Sequence, residues 1–170
     1  ISEINVITLP SALEKQIKFT VSIAEQFTCS YYGDPARIKQ ILMNLISNSL
    51  KFTPSNGNVT LTAYHTPIDD SHDMVTFAVE DDGTGMSKEF MSRMFKPFEQ
   101  ERSSYTSQYA GSGLGLNIVK NIATLMGGTV SVTSEQNQGS KFTISIPLLR
   151  GPQLEKTEPE AKKKQIEPFH

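Results

Sequence analysis

The sequence predicts an α/β domain, a two-layer sandwich in which one sheet is covered on one face by helices. Three observations carry that prediction. Five short segments alternate apolar and polar residues with the period of a half-buried strand. Two longer segments, 35–52 and 114–126, repeat apolar residues three and four apart, as amphipathic helices do. The strands also come as adjacent pairs joined by turn residues, and helices interrupt them only irregularly.

Composition agrees with one folded unit. The chain has 170 residues, 37% of them apolar and 20% charged, enough for a real core. Sixteen Lys and Arg against eighteen Asp and Glu leave a net charge of −2. No global basic field exists to hold nucleic acid or an anionic membrane. Cys29 is the single cysteine, which excludes an internal disulfide and a Cys-rich zinc fold. No apolar run is long enough for a membrane span or a signal peptide. The chain starts at Ile1 and not Met, so it reads as a piece of something larger.

Taken in order, Pro10–Gln16 is a short helix and Ile17–Ile23 alternates as the first strand. Gly33-Asp34-Pro35 opens a helix, with Asp34 able to cap free N–H groups and Pro35 suited to the first helical position. That helix runs to Phe52 and stops before Pro54. After the Asn56-Gly57 turn, Val59, Leu61 and Ala63 alternate. A polar turn at Asp69–Asp73 then leads to Val75, Phe77 and Val79 as the partner of a hairpin. Ser87–Phe95 is a short helix capped by Ser87. Glu99–Gly113, rich in Ser, Gln, Tyr and Gly, has no period and is expected to be a mobile loop. Leu114–Met126 is a helix with Leu114, Ile118, Ile122 and Leu125 as its apolar repeat, ended by Gly127-Gly128. Strands Thr129–Thr133 and Lys141–Pro147 follow. Beyond Leu149, residues 151–170 hold three Pro, four Glu and four Lys, the composition of a solvated linker. The expected organisation is 1–14 as the end of a preceding linker or helix, 15–149 as the domain, and 150–170 as a linker or tail.

Four clusters carry chemistry. On the helix 35–52, Arg37, Gln40, Asn44, Asn48 and Lys51 share a stripe about 80° wide, opposite Ile38, Leu42, Leu45 and Ile46. A solvated face is the plain reading, yet two Asn one turn apart are poor helix formers there. Asn offers an uncharged oxygen suited to a hard cation that already carries phosphate oxygens. Asp81-Asp82-Gly83-Thr84-Gly85 follows a strand: an acidic turn, or a carboxylate that accepts from a ligand amine while glycines admit the ligand to the backbone. Gly111-Ser112-Gly113-Leu114-Gly115-Leu116 opens a helix, whose N-terminus can hold phosphate or act as a hinge. It lacks the Lys-Ser/Thr of a P-loop. Phe95-Lys96-Pro97-Phe98 reads as core rather more readily than as a docking edge.

In this order and spacing the four clusters resemble the catalytic, ATP-binding domain of sensor histidine kinases over about residues 15–149. Asn44 to Phe52 looks like the asparagine box, Asp81 to Gly85 like the first glycine box, Phe95 to Phe98 like the phenylalanine box, and Gly111 to Leu116 like the second glycine box. The resemblance implies the Bergerat fold, a mixed sheet under helices with an ATP lid over 99–112. It implies ATP and Mg²⁺ as cofactors, with Asn48 as magnesium ligand, Asn44 and Lys51 on the phosphate side, and Phe52 near base or ribose. Asp81 would accept from the adenine amine, with Gly83 and Gly85 giving close approach. Gly111, Gly113, Leu114 and Gly115 would lie near the phosphates.

The lid departs from the family pattern, with Ser107-Gln108 where basic residues are frequent and Arg102 where an acid is common. None of His65, His72 and His170 has the setting of a phosphoacceptor, so that histidine is expected on a separate dimerisation hairpin. The implied partners are ATP or ADP, that hairpin, and a receiver domain or response regulator. Neither nucleic acid nor direct membrane contact is expected, and the setting is cytoplasmic, in a parent of hybrid type. Two alternatives stand beside the kinase module. One is a conformational ATPase like gyrase or the heat-shock chaperones; those place a Glu one turn before the magnesium Asn, where this chain has Asn44. The other is a nucleotide sensor without turnover.

Overall fold

The computed structural model describes residues 1–24, 27–101 and 111–154. Its elements are α1 (Ser2–Glu14), β1 (Lys18–Ile23), β2 (Cys29–Tyr32), α2 (Pro35–Phe52), β3 (Asn58–Pro67), β4 (His72–Asp81), α3 (Lys88–Met91), α4 (Gly115–Leu125), β5 (Thr129–Glu135) and β6 (Gly139–Gln153). The strands form one six-stranded mixed sheet in the order β1-β3-β4-β6. The far edge of β6 carries β5 beside its first half and β2 beside its last residues. Only β1–β3 is parallel; every other pair is antiparallel. The expected two-layer sandwich is therefore the fold observed.

Strand alternation sets the inner face. Leu61 pairs with Val79 and Ala63 with Phe77, and these in turn face Phe142 and Ile144 of β6. On that face α1, α2 and α4 lay Ile4 and Ala12, then Ile41, Leu42, Leu45 and Ile46, then Val119, Ile122 and Ala123, all buried. Helix α2 starts and stops where the sequence says. Asp34 accepts from Ala36 N (3.1 Å) and Arg37 N (3.2 Å), and Pro35 holds the first turn.

Other elements differ from expectation, each for a local reason. Helix α1 begins at Ser2, eight residues before the expected start. Its buried stripe is Ile4, Thr8 and Ala12, a repeat one residue in three of which is apolar and large, so it carries little periodic signal. Strand β2 is a four-residue edge without alternation and was not expected. Helix α3 is a single turn where nine residues were expected. Leu125 is 76% exposed, and the inner stripe of α4 is Val119, Ile122 and Ala123 instead. Strand β6 continues past Leu149 to Gln153, so the first residues after the change of composition belong to the sheet. Most of the expected mobile loop, 102–110, and the tail 155–170 lie outside the described residues.

The extension of β6 is held by a buried carboxylate. Asp73 Oδ1 accepts from Arg150 Nε at 2.8 Å and Oδ2 from the Tyr31 hydroxyl at 2.6 Å. His65 Nδ1 lies 2.8 Å from Oδ2. One side chain of β4 thereby ties together β2, β3 and the end of β6. The Arg150 hydrogen bonds hold the Asp73 carboxyl down at about 2, against the opposing cost of its burial. A depressed carboxyl stabilises the fold above its ordinary value of 3.8 and loses that contribution as the pH falls towards about 2. Arg150→Ala removes the main cause. Its acid unfolding, followed by circular dichroism, is expected to begin at higher pH than that of the wild type; superimposable curves would refute the assignment.

Candidate functional site

A cleft of about 640 Å³ opens at the C-terminal end of β4. It is bounded by one edge of α2, the segment Thr84–Met86, the chain on either side of 102–110, and the first turn of α4. Asn44, Asn48, Lys51 and Phe52 line it from α2. The rest of the predicted polar stripe, Arg37 and Gln40, lies nearer the helix N-terminus and does not reach it.

Asp81 closes the inner end. It continues the row Val75, Phe77, Val79 and so sits in the core register, 9% exposed. Its Oδ1 accepts from Gly83 N at 3.0 Å and its Oδ2 from the Ser49 hydroxyl at 2.8 Å. Burial pushes its carboxyl up, and these two donors oppose the shift. Gly83 does not line the cleft but is needed behind it: a Cβ there would lie 2.6 Å from the Phe52 carbonyl oxygen. Gly85 and Gly113, both on the wall, have φ of +64° and +72°, which a side chain would strain.

Elsewhere on the wall, the edge of α2 offers two amides and a lysine. A Cβ on Gly115 would lie 3.5 Å from Asn44 Oδ1, and one on Gly111 would lie 3.2 Å from Lys51 Nζ. The second glycine cluster therefore abuts the amide edge of α2. Lys51 stands 5.2 Å from the Phe52 ring centroid, and burial, helped by the charge of Lys15, lowers its pKa. Leu114 lies off the cleft wall as the N-cap residue of α4, its amide donating to Ser112 Oγ at 3.3 Å. Gln100 Nε2 donates to Gly111 O, and Phe98 N donates to Gly113 O at 3.0 Å. The two sides of the 102–110 segment are thus joined at its base.

Ser49, Glu99 and Glu101 are among the wall residues to which the sequence reading gave no role of their own. Ser49 falls within the apolar arc of α2, and a hydroxyl there was the available signal. Glu99 and Glu101 fall at the start of the expected lid, 99–112, in an aperiodic stretch that singled out neither. Glu99 Oε2 lies 2.9 Å from Arg93 Nε, and Glu101 Oε1 accepts from Ser87 N at 2.9 Å. The aromatic cluster also differs from the core reading: Phe95 is partly buried, but Phe98 is 75% exposed.

Residues 33–150 match the model of a family described as histidine kinase-, DNA gyrase B-, and HSP90-like ATPase. The chain belongs to this family. Among its relatives, the autoinducer 2 sensor kinase/phosphatase LuxQ of Vibrio vulnificus is 37% identical over 142 residues, 84% of this chain and 17% of that protein. Hybrid signal transduction histidine kinase B of Dictyostelium discoideum is 39% identical over 134 residues, 79% of this chain and 7% of that one. A solved structure of full-length ShkA in complex with AMPPNP superposes with a TM-score of 0.73 at 33% identity, over 88% of this chain and 29% of that chain. The domain is thus the ATPase-family catalytic domain of the sensor histidine kinase type, with the Bergerat fold. It spans a small part of each curated relative. No helix among the described residues is long and apolar enough to cross a membrane.

A raised carboxyl destabilises the empty domain once it ionises. The wild type therefore loses stability, relative to a neutral side chain, as pH rises from 3.8 through the elevated Asp81 value. Asp81→Asn keeps the shape, and the Ser49 hydroxyl can turn to accept from the new amide. At neutral pH its melting temperature, without nucleotide, is expected to exceed that of the wild type. A lower melting temperature would contradict the burial argument.

Proposed function

We propose that this domain binds Mg-ATP in the cleft and presents the γ-phosphate to a histidine on a separate helical hairpin. The observation that carries the reading is one cleft lined both by a buried carboxylate acceptor, Asp81, and by the amide-and-lysine edge of α2. Asp81 is the acceptor for the adenine amine, with Gly83 and Gly85 leaving room for the base. Phe52 packs near base or ribose. Lys51, Asn44, Gly111, Gly113 and Gly115 take the phosphates, with Leu114 setting the start of α4, whose free N–H groups favour anions.

Among the described residues no group of His, Cys, Asp and Glu could hold a metal alone. The donor set fits a magnesium ion brought in with the triphosphate: Asn48 supplies one neutral oxygen and the phosphates the others. Such an ion neutralises phosphate charge. The chain's own contribution is to fix the nucleotide so that the γ-phosphate faces outward. Exposed Phe98, beside partly buried Phe95, is the edge on which the hairpin docks. The parent is proposed to be a cytoplasmic-facing hybrid kinase with a receiver domain beyond residue 170, in line with the printed name of the Dictyostelium relative.

Hydrolysis needs a base within reach of water. Position 44, one turn before Asn48, is an amide; of the wall carboxylates, Asp81 is given to the adenine amine, and Glu99 and Glu101 are engaged by Arg93 and Ser87. The isolated chain is expected to bind ATP and release almost no labelled phosphate, and to label a hairpin carrying the acceptor histidine when one is added. Sustained turnover by the chain alone, abolished by Asn48→Ala, would favour the ATPase reading instead.

The metal role has its own test. Asn48→Ala is expected to weaken Mg-ATP binding ~10- to 100-fold while adenosine binding stays within about twofold. Calorimetry of both ligands on the folded variant decides it, and equal losses for the two would reject the role.

A further inference from the structure

Among the described residues of α2, Ser49 is the buried polar side chain, 3% exposed, on the arc otherwise made of Ile41, Leu42, Leu45 and Ile46. We propose that Ser49 is a positioning residue for base recognition: its hydroxyl, donated to Asp81 Oδ2, fixes the carboxylate as an acceptor and so sets the preference for a purine with an exocyclic amine over one with a carbonyl there. The inference rests on the nucleotide-binding reading and adds to it the residue that determines base selectivity.

The geometry gives each carboxylate oxygen its own tether, Gly83 N on Oδ1 at 3.0 Å and Ser49 Oγ on Oδ2 at 2.8 Å. Two tethers from different elements, the loop after β4 and the middle of α2, stop the carboxylate from rotating about its Cβ–Cγ bond. The Ser140 backbone adds support from β6, so Ser49 is the side chain among these donors. The charged groups around the carboxylate do not replace it. Asp82, next in the chain, is an acid turned to Asn58, while Lys51, Glu99 and Glu101 belong to other walls of the cleft.

Without the hydroxyl, Oδ2 is a buried oxygen with no side-chain donor, and leaving such a group unsatisfied is costly. The carboxylate then has two ways to recover. It can turn away from the base, which weakens the bond to an adenine amine. It can take up a proton and present O–H, which suits the carbonyl of guanine. Both lower the discrimination between the two bases, and neither touches the phosphate end, where Asn44, Lys51 and the second glycine cluster lie.

The test compares the wild type, Ser49→Ala and Ser49→Thr by calorimetry with ADP, GDP and inorganic tripolyphosphate, alongside thermal melts. Ser49→Ala is expected to lower the ADP-to-GDP affinity ratio about tenfold and leave tripolyphosphate binding unchanged, whereas Ser49→Thr, which retains the hydroxyl, keeps the ratio. If alanine prevents folding, Ser49→Cys takes its place, since it fills the same space with a weak donor. An unchanged ratio in a folded variant, or an equal loss for all three ligands, overturns the role of Ser49 while leaving the nucleotide reading intact. A wild-type protein that binds ADP and GDP equally overturns both.

Discussion

Everything in the cleft depends on how α2 lies across the sheet. Its inner arc buries Ile41, Leu42, Leu45, Ile46 and Leu50. At ~1.5–3 kcal/mol for each aliphatic side chain, that burial contributes roughly 10 kcal/mol as an upper estimate. Two asparagines in a helix cost about 1 kcal/mol together in propensity. Packing wins by a wide margin, so the helix can carry Asn44 and Asn48 on its edge without losing its place. The amides are held by residues that never touch the cleft, and a rotation of α2 would have to expose core before it could move them.

Strand β4 carries the second constraint. Its inward row begins with Asp73 and ends with Asp81, two carboxylates in positions that otherwise hold Val75, Phe77 and Val79. Their environments drive them apart. Asp73 meets the Arg150 guanidinium and is held at about 2. Asp81 meets a hydroxyl and an amide, which satisfy its oxygens without neutralising its charge, and its carboxyl is pushed up by burial. A cation at Asp81 would stabilise the empty protein better and would also occupy the acceptor. Neutral donors leave the carboxylate costly to bury and ready to accept, the compromise expected where a strand end serves recognition.

How far the sequence revealed this follows from the kind of signal each part leaves. Helix α2 was legible to the residue because cap, proline and apolar arc all point the same way. The strands β3, β4 and β6 were legible because each has an alternating apolar inner row, Val59-Leu61-Ala63, Val75-Phe77-Val79 and Phe142-Ile144-Ile146. Helix α1 was largely hidden because its buried stripe contains Thr8 and Ala12, and β2 because four edge residues leave no period. The glycine clusters and Asn44, Asn48, Lys51, Phe52 and Asp81 stood out by type and spacing, and the fold brings them to one cleft, with Gly83 and Leu114 just behind its wall. Ser49, Glu99 and Glu101 did not. A hydroxyl in an apolar arc has meaning only once its partner is known, and Asp81 is 32 positions away.

On the proposed reading, the chemistry of the cleft is defined as much by acids it restrains as by the base it lacks. Glu99 and Glu101 are close enough to line the cleft, so Asn44 alone does not make the site inert towards water. Arg93, at the end of the α3 region, pairs with Glu99 at 2.9 Å and with Glu89 at 3.0 Å. Ser87 caps α3 through its hydroxyl and uses its own amide to hold Glu101. A helix of one turn could not persist by itself. It persists here because its cap and its arginine are both spent on the segment that leads into 102–110. That same exchange ties one oxygen of each glutamate to a neighbour, Glu99 Oε2 to the Arg93 guanidinium and Glu101 Oε1 to the Ser87 amide, and so fixes where the two side chains lie. On that reading the short helix, which the sequence predicted with its Ser87 cap but without these two contacts, helps keep a nucleotide-presenting cleft from being a hydrolytic one.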